Sequence, residues 1–173
     1  PTGELRTAAL RVFESGDAER AAARAALAAL AEPDDPRIPL DVAKLLVLQG
    51  RYAQAEALLA ALPMALREQE AVRNLLTHAS LLNAAREAPA PEALEQAIIA
   101  RPDDLEARYR LGAARLMHND YEGALAQLLE IVRRDPSFRG GAGRNGLLAL
   151  FGLLGEQDAR TQRYRAELLN IAS

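Results

Sequence analysis

The chain of 173 residues contains no cysteine and no tryptophan, and it has only three phenylalanines, four tyrosines and two histidines. Without cysteine it can form no disulfide, no thiolate metal site and no cysteine nucleophile, so it carries no thiol redox chemistry of its own. The scarcity of aromatic residues, beside 37 alanines, suits close-packed helices better than sheets. The composition therefore predicts an all-α protein.

Long apolar runs and a strong net charge are also missing. No apolar run approaches the ~18 residues that span a bilayer, and nothing at the N-terminus resembles a signal peptide. The formal net charge of −3 is too small to imply a nucleic-acid partner. Half of the residues are apolar, so we expect a folded core. The missing apolar run and the small net charge predict neither a membrane nor a nucleic-acid partner. The first residue is Pro1 and not methionine, which favours a fragment of a longer protein.

One stretch of 34 residues, 105–138, has the pattern of a helix-turn-helix repeat. Counting from its first residue, Gly112 and Ala124 occupy positions 8 and 20, where small side chains let two antiparallel helices approach. The Asn-Asp pair at 119–120 favours a tight turn between the helices, and Pro136 at position 32 cannot continue the second helix. This is the tetratricopeptide spacing, and one such repeat cannot bury its apolar face without neighbours.

Further copies of the repeat are indicated by alanines at position 20. Ala21, Ala55, Ala90 and Ala124 follow one another at spacings of 34, 35 and 34 residues. We predict a tetratricopeptide helical solenoid in a single domain, 1–173. Its repeats lie at about 2–35, 36–70, 71–104 and 105–138, and a capping helical pair follows at 139–173.

Details of the repeats depend on their glycines and prolines. Pro63 predicts a short second helix in the second repeat, and the stretch 66–86 without a breaker predicts a long first helix in the third. Gly155 is expected to end the first helix of the terminal pair.

No catalytic or metal-binding pattern emerges from the sequence. His78 and His118 lie at non-equivalent repeat positions, which favours packing or solvent exposure over a metal or catalytic role. The glycine-rich stretch RGGAGRNG at 139–146 has no preceding strand and no lysine followed by serine or threonine. It is predicted to be a flexible connection between helices and not a phosphate-binding loop. We expect no enzyme activity, no cofactor and no metal.

Partner binding in such arrays usually uses the concave face built from the first helix of each repeat. In repeats three and four this face is mostly apolar, and the terminal-carboxylate clamp of some repeat proteins is absent. The candidate client-binding residues are Val72, Leu75, Leu76, Ala79, Leu82, Asn83, Tyr109, Arg110, Leu116 and Met117. Two interpretations stay open: an exposed hydrophobic groove, or a face that turns inward and packs against the chain's own terminal helices.

From about residue 87 to the end, the chain contains APAPEALEQAIIARPDDLEA, then LMHNDYEGALAQLLEIVRRDP, then a loop and LLALFGLLGEQDARTQRYRAELLNIAS. The most specific part is the block from ARPDD through RRDP, followed by LLG, a polar Asp and YR-x-x-L. In this order of features it resembles the C-terminal repeat domain of bacterial thioredoxin-like co-chaperones, the chaperedoxins. Residues 1–86 match more loosely, through GRYAQAEALLAALP. The resemblance implies an N-terminal thioredoxin-like domain in the full-length protein. The 173 residues contain no such domain, so any redox function that the resemblance implies would lie outside them.

The resemblance also implies a cytoplasmic holdase that binds unfolded client proteins and passes them to the chaperonin. The C-terminal helix is the expected docking element, with Tyr164, Leu168 and Ile171 packed on the array. The predicted chaperonin-binding residues, on its flanks and outer face, are Gln162, Arg163, Arg165 and Asn170. Two alternatives stay open: a scaffold that recognises one defined peptide, and an ordinary solvated helix face at the arginines.

Overall fold

A computed structural model describes residues 35–171, together with Thr7 and Asp17. Every regular element in this part of the chain is helical. The α-helices are α1 (Arg37–Leu48), α2 (Tyr52–Ala60), α3 (Met64–Arg67), α4 (Glu70–Arg86), α5 (Pro91–Ala100), α6 (Leu105–Met117), α7 (Tyr121–Arg134), α8 (Ala142–Leu154) and α9 (Ala159–Ile171), and a 3-10 turn spans Phe138–Gly140. None of these helices is long and apolar enough to cross a membrane. The predicted first repeat, 2–35, lies almost wholly outside the described residues.

The chain divides into two compact units, Pro1–Ser80 and Leu81–Ser173. The boundary falls within α4, which belongs to the third predicted repeat. The interpretation of 1–173 as a single domain stays a prediction. Each unit has buried apolar residues of its own and is described separately below.

Unit 1 contains the predicted second repeat as the pair α1 and α2. Gly50 adopts the left-handed φ of 71° that reverses the chain between them. Ala55 has no exposed surface, as its position-20 role requires. The second helix ends at Ala60, shortly before Pro63, so its predicted short length is confirmed. The core joins α1 and α2 to α4 through fully buried side chains: Val42, Ala43, Leu46, Leu59, Leu66, Val72 and Ala79.

The long first helix predicted over 66–86 is shorter at its start. The chain turns at residues 68–69, which separates the four-residue α3 from α4, beginning at Glu70. Leu66 lies in α3 with no exposed surface, as part of the unit 1 core. The helical periodicity of 66–86 does not indicate this turn, because no proline or glycine marks it.

In unit 2, the pair α6 and α7 confirms the repeat predicted at 105–138. Asn119 takes φ 59° in the turn, and Asp120 caps α7 by accepting a hydrogen bond from the Gly123 N–H over 2.9 Å. The two helices approach closely at Gly112. A Cβ atom there would lie 3.6 Å from the Ala124 carbonyl oxygen, so the predicted facing of these two residues is confirmed.

The prediction that Ala90 takes the position-20 role in the third repeat is wrong. Ala90 is exposed and precedes α5 in an extended conformation, with φ −54° and ψ 143°. The proline-rich turn delays the helix until Pro91, a residue type that suits the first helical position. Leu94, which is 5% exposed, takes the buried position in α5.

The glycine-rich stretch 139–146 is only partly a connection, and the prediction of a flexible segment is wrong for 142–146. Helix α8 begins at Ala142, and Gly143 and Gly146 are buried on the face that meets α7. A Cβ atom at Gly146 would lie 2.8 Å from Leu128 Cδ2. Two glycines at i and i+3 share one helix face, so their spacing was a sequence signal for close packing.

Candidate functional site

Helix α6, the first helix of repeat four, carries a cluster of aromatic and charged side chains that is the candidate site described below. Asp104 caps it by accepting a hydrogen bond from the Ala107 N–H over 2.9 Å. This cap fixes the start of the helix and places Glu106, Tyr109 and Arg110 on one face, because residues at i, i+3 and i+4 are neighbours on a helix. These are positions 2, 5 and 6 of the repeat, the concave positions.

The 3-10 turn after α7 folds back onto this face. Phe138 and Tyr109 lie with their ring centroids 6.3 Å apart and their planes inclined by 57°. The central carbon of the Arg139 guanidinium lies 4.9 Å from the Tyr109 centroid and 5.9 Å from the Phe138 centroid. These are favourable distances for aromatic and cation–π contacts. Tyr109 is only 6% exposed in this packing.

Glu106 connects the two arginines of this surface. Its Oε1 atom accepts one hydrogen bond from Arg110 Nε over 2.9 Å and another from Arg139 Nη2 over 3.0 Å. We call the five residues Glu106, Tyr109, Arg110, Phe138 and Arg139 the α6 site. It combines two aromatic rings, one carboxylate and two guanidinium groups, a set that can recognise a protein segment but contains no nucleophile next to a base.

An open pocket of about 640 Å³ adjoins the α6 site. It lies at the start of α6, and its apolar lining comes from Pro102, Leu105 and Phe138. The polar lining comes from Arg101, Asp103, Asp104 and Glu106. Each of the three carboxylates pairs with an arginine: Asp103 with Arg134, Asp104 with Arg101, and Glu106 with Arg110 and Arg139. A pocket of this volume accepts one or two side chains of a bound segment.

The predicted concave residues of repeat three pack inward. Val72 and Ala79 have no exposed surface and belong to the unit 1 core, and Leu75 and Leu76 are half-buried against it. Leu82 of unit 2 is buried. Asn83 is half-buried. The client-binding role of this set stays a prediction. Its unit 1 members pack in the core of unit 1, so the interpretation that the concave face packs against the terminal helices stays a prediction as well.

The predicted residues of repeat four are brought together in part. Tyr109 and Arg110 belong to the α6 site, while Leu116 is 4% exposed and Met117 is half-buried, one turn or more further along the helix. Tyr109 is covered by Phe138 and Arg139 of its own chain. Sequence reasoning did not select Phe138 or Arg139, because they follow the last helix of the repeat and occupy no concave position.

Arg108 is a third residue that the sequence pattern does not indicate. It is buried between α6 and α7, where its Nε donates to the Pro102 carbonyl over 3.0 Å and its Nη1 donates to Gln127 Oε1 over 3.2 Å. Burial lowers the pKa of its guanidinium from the ordinary value. The contacts are intramolecular, so Arg108 holds the hairpin that presents the α6 site.

The C-terminal helix α9 is packed as predicted on one side. Tyr164 is 6% exposed and Leu168 and Ile171 are half-buried. Of the predicted chaperonin-binding residues, Gln162, Arg163 and Asn170 are exposed and Arg165 is half-buried. Their docking role stays a prediction.

The arginines of α9 form ion pairs within unit 2. Arg163 pairs with Glu122 of α7, which also accepts a hydrogen bond from the Tyr164 hydroxyl over 2.8 Å. Arg165 Nη2 donates to Glu156 Oε1 over 2.7 Å. These carboxylates offset the positive charge that the sequence alone places on the outer face. Burial and the Glu122 contact raise the pKa of Tyr164 to about 12.

The histidines show no sign of catalysis. Burial lowers the pKa of half-buried His78. The Nδ1 atom of His118 lies 2.8 Å from the Ala114 carbonyl oxygen, at the end of α6. Among residues 35–171, with Thr7 and Asp17, no three histidine, aspartate or glutamate side chains form a group that fits a metal ion.

The repeat geometry agrees with comparisons to known protein families. The sequence matches two family models of the tetratricopeptide repeat, over residues 12–79 and 84–171, and the second alone covers more than half of the chain. The chain is a tetratricopeptide-repeat protein. The predicted fold class, an all-α tetratricopeptide helical array, is thereby confirmed. Tetratricopeptide domains bind protein partners, so the chain carries a protein-interaction domain.

Solved structures of similar proteins are also found. One is a domain of VP0806, a protein of unknown function from Vibrio parahaemolyticus RIMD 2210633. It is 22% identical, with 98% of each chain covered and a TM-score of 0.42. Another is the MamA RS-1 ArsTM double mutant, which is 17% identical, with 99% of this chain and 94% of that chain covered and a TM-score of 0.39. The sequence matches no curated protein. The link to chaperedoxins stays a prediction from the resemblance.

Proposed function

We propose that this tetratricopeptide-repeat protein is a scaffold that binds one defined protein segment at the α6 site. The observation that carries the proposal is the meeting of Phe138 and Tyr109, at 6.3 Å, beside a pocket of about 640 Å³. Aromatic rings next to a concavity are typical anchors of a protein interface, with arginines at their side. A bound segment would place an apolar side chain in the pocket, against Phe138 and Leu105.

The large exposed apolar residues of the described chain lie on five different helices: Leu48 on α1, Met64 on α3, Ile99 on α5, Leu153 on α8 and Leu169 on α9. No described helix carries two of them, so no single described helix presents the row of large exposed apolar anchors that a client-holding groove is expected to have. We therefore favour one defined partner over many unfolded clients. Client holding and chaperonin docking stay predictions from the resemblance.

Selection from a random peptide library displayed on phage tests the proposal. We expect the purified chain to enrich one sequence motif with an apolar residue, and Phe138→Ala to lose that enrichment. Leu153→Ala is the matched control, because Leu153 is an exposed apolar residue in the same unit but outside the α6 site. Circular dichroism checks that both variants keep their helices.

Two results of these experiments would contradict the proposal. If no motif is enriched and the chain instead suppresses aggregation of several unrelated denatured proteins, the holdase interpretation is right and the proposed function is wrong. Enrichment of a motif that Phe138→Ala still binds would place the binding surface elsewhere.

A further inference from the structure

The α6 site already holds a cation that comes from the chain itself. The Arg139 guanidinium lies over the Tyr109 ring, near the Phe138 ring, and donates a hydrogen bond to Glu106 over 3.0 Å. Two aromatic rings and one carboxylate bind a guanidinium by cation–π attraction and by a charge-assisted hydrogen bond. We call Tyr109, Phe138 and Glu106 the guanidinium box.

Weak, partly exposed contacts hold the Arg139 side chain in the box. Its side chain is half exposed, and ion pairs between exposed groups contribute little to stability. Its backbone has φ 47° and ψ 45°, a left-handed conformation that costs free energy for any residue except glycine. When the side chain leaves the box, the protein loses only weak contacts. Arg139 therefore occupies the box as a replaceable group.

We infer that the partner segment carries an arginine whose guanidinium replaces that of Arg139 in the box, an inference that rests on the proposed function. Glu106 already accepts hydrogen bonds from two guanidinium groups, those of Arg110 and Arg139, and a partner arginine in place of Arg139 keeps this pairing, which an acidic or apolar side chain cannot do. Arginine is favoured over lysine because its planar group stacks on rings and bonds a carboxylate through more than one N–H. Arg139 acts as an intramolecular competitor.

The probe for this inference is N-acetyl-arginine methylamide, titrated into the isotopically labelled chain and followed by NMR at Tyr109 and Phe138. Arg139→Gly empties the box, and glycine accepts the left-handed backbone at this position. We expect this variant to bind the probe about threefold to tenfold more tightly than the parent chain, since a competitor is removed. The corresponding citrulline derivative, which is neutral, should not bind.

Three further variants complete the experiment. Glu106→Gln keeps the side-chain shape and removes the negative charge, so it should weaken probe binding several-fold. Arg144→Ala removes one exposed arginine of the same unit and serves as the control for net charge. Arg139→Asn is the second variant that empties the box, because asparagine also tolerates the left-handed conformation.

The inference is overturned if neither Arg139 variant binds the probe more tightly than the parent, or if the citrulline derivative binds equally well. Binding unchanged by Glu106→Gln would overturn it too. Its failure is distinguishable from that of the proposed function. A single selected peptide motif without arginine would contradict the box and leave the scaffold function standing, whereas probe binding without any selected motif would contradict the scaffold function.

Discussion

Gly143 of α8 lies directly against Leu128 of α7, and a Cβ atom at position 143 would stand 3.0 Å from the Leu128 carbonyl oxygen. The Cγ2 atoms of Ile131 and Val132 lie at the same distance from that position. A backbone carbonyl cannot rotate away from an added methyl group as a side chain can. The backbones of α7 and α8 are therefore about as close here as glycine allows.

Gly143→Ala should therefore destabilise the protein, by about 1–3 kcal/mol, since overpacking forces the helices apart. Gly112→Ala is the matched comparison. Its Cβ would meet Gln127 Cβ at 3.4 Å, an ordinary van der Waals distance, and alanine favours the helix by up to about 1 kcal/mol. Calorimetry should show a lower thermal midpoint for the first variant and an equal or higher midpoint for the second. Equal midpoints in both variants would contradict the close α7–α8 contact.

Gly112→Leu tests the repeat register in a different way. A leucine at this position points at Ala124 and Leu128 of α7, where space for a single methyl group exists but not for a whole isobutyl group. We expect a loss of about 1–3 kcal/mol in the free energy of unfolding, measured by urea denaturation. A stability equal to that of the parent would mean that α6 and α7 do not face each other at this residue.

The repeat pattern was sufficient to predict the α6–α7 hairpin, because its spacing encodes where two backbones approach and where the chain turns. The repeat pattern predicts less well the residues whose packing does not follow the repeat spacing. Ala90 matched position 20 by spacing alone, although the proline-rich turn keeps it outside α5. By sequence, Gly143 and Gly146 favour a flexible connection, since glycine is a poor helix former, yet close packing against α7 requires them.

The α6 site was predicted only in part for a related reason. Tyr109 and Arg110 follow from the concave positions of the repeat, which helical geometry fixes. Phe138 and Arg139 reach the site because the turn after α7 folds back, with left-handed φ values at Arg139, Gly140 and Gly141. Side-chain pairs between elements distant in sequence, such as Arg139 with Glu106, depend on this path and cannot be counted from a period.

The burial of Tyr164, together with its contact with Glu122, makes the stability of the protein depend on pH in the alkaline range. The pKa of Tyr164 rises from 10.0 to about 12, so the folded state holds the phenol proton more tightly than the unfolded state. This contribution is complete below pH 10 and is lost as the pH rises through 12. Tyr164→Phe should cost about 0.5–1.5 kcal/mol at pH 7, by loss of the hydrogen bond, and should reduce the pH dependence between 10 and 12.

Thermal melts of the parent and of Tyr164→Phe across this pH range give the measurement. Tyr52→Phe, in unit 1, is the control for removal of a tyrosine hydroxyl. If the midpoints of the parent and of Tyr164→Phe fall in parallel above pH 10, the contact with Glu122 does not contribute as described.

The resemblance predicts that α9 docks to the chaperonin, and such docking should depend on charge. Glu122→Gln together with Glu156→Gln frees Arg163 and Arg165 from their ion pairs, so it should strengthen binding to purified chaperonin at low salt. Arg163→Glu together with Arg165→Glu should weaken it. Binding is measured at low and high salt, after circular dichroism confirms that helicity is kept. If the folded arginine variant binds as well as the parent, α9 serves only as a cap.

The central claim, that one protein segment binds at the α6 site, is tested most directly by calorimetric titration of the selected peptide into the full chain. The account predicts saturable binding with one peptide per chain. Phe138→Ala should weaken it by about 1 kcal/mol or more, as for an interface anchor, and Leu153→Ala should leave it unchanged. Equal affinities for the parent and Phe138→Ala, or non-saturating binding of unrelated peptides, would contradict the claim.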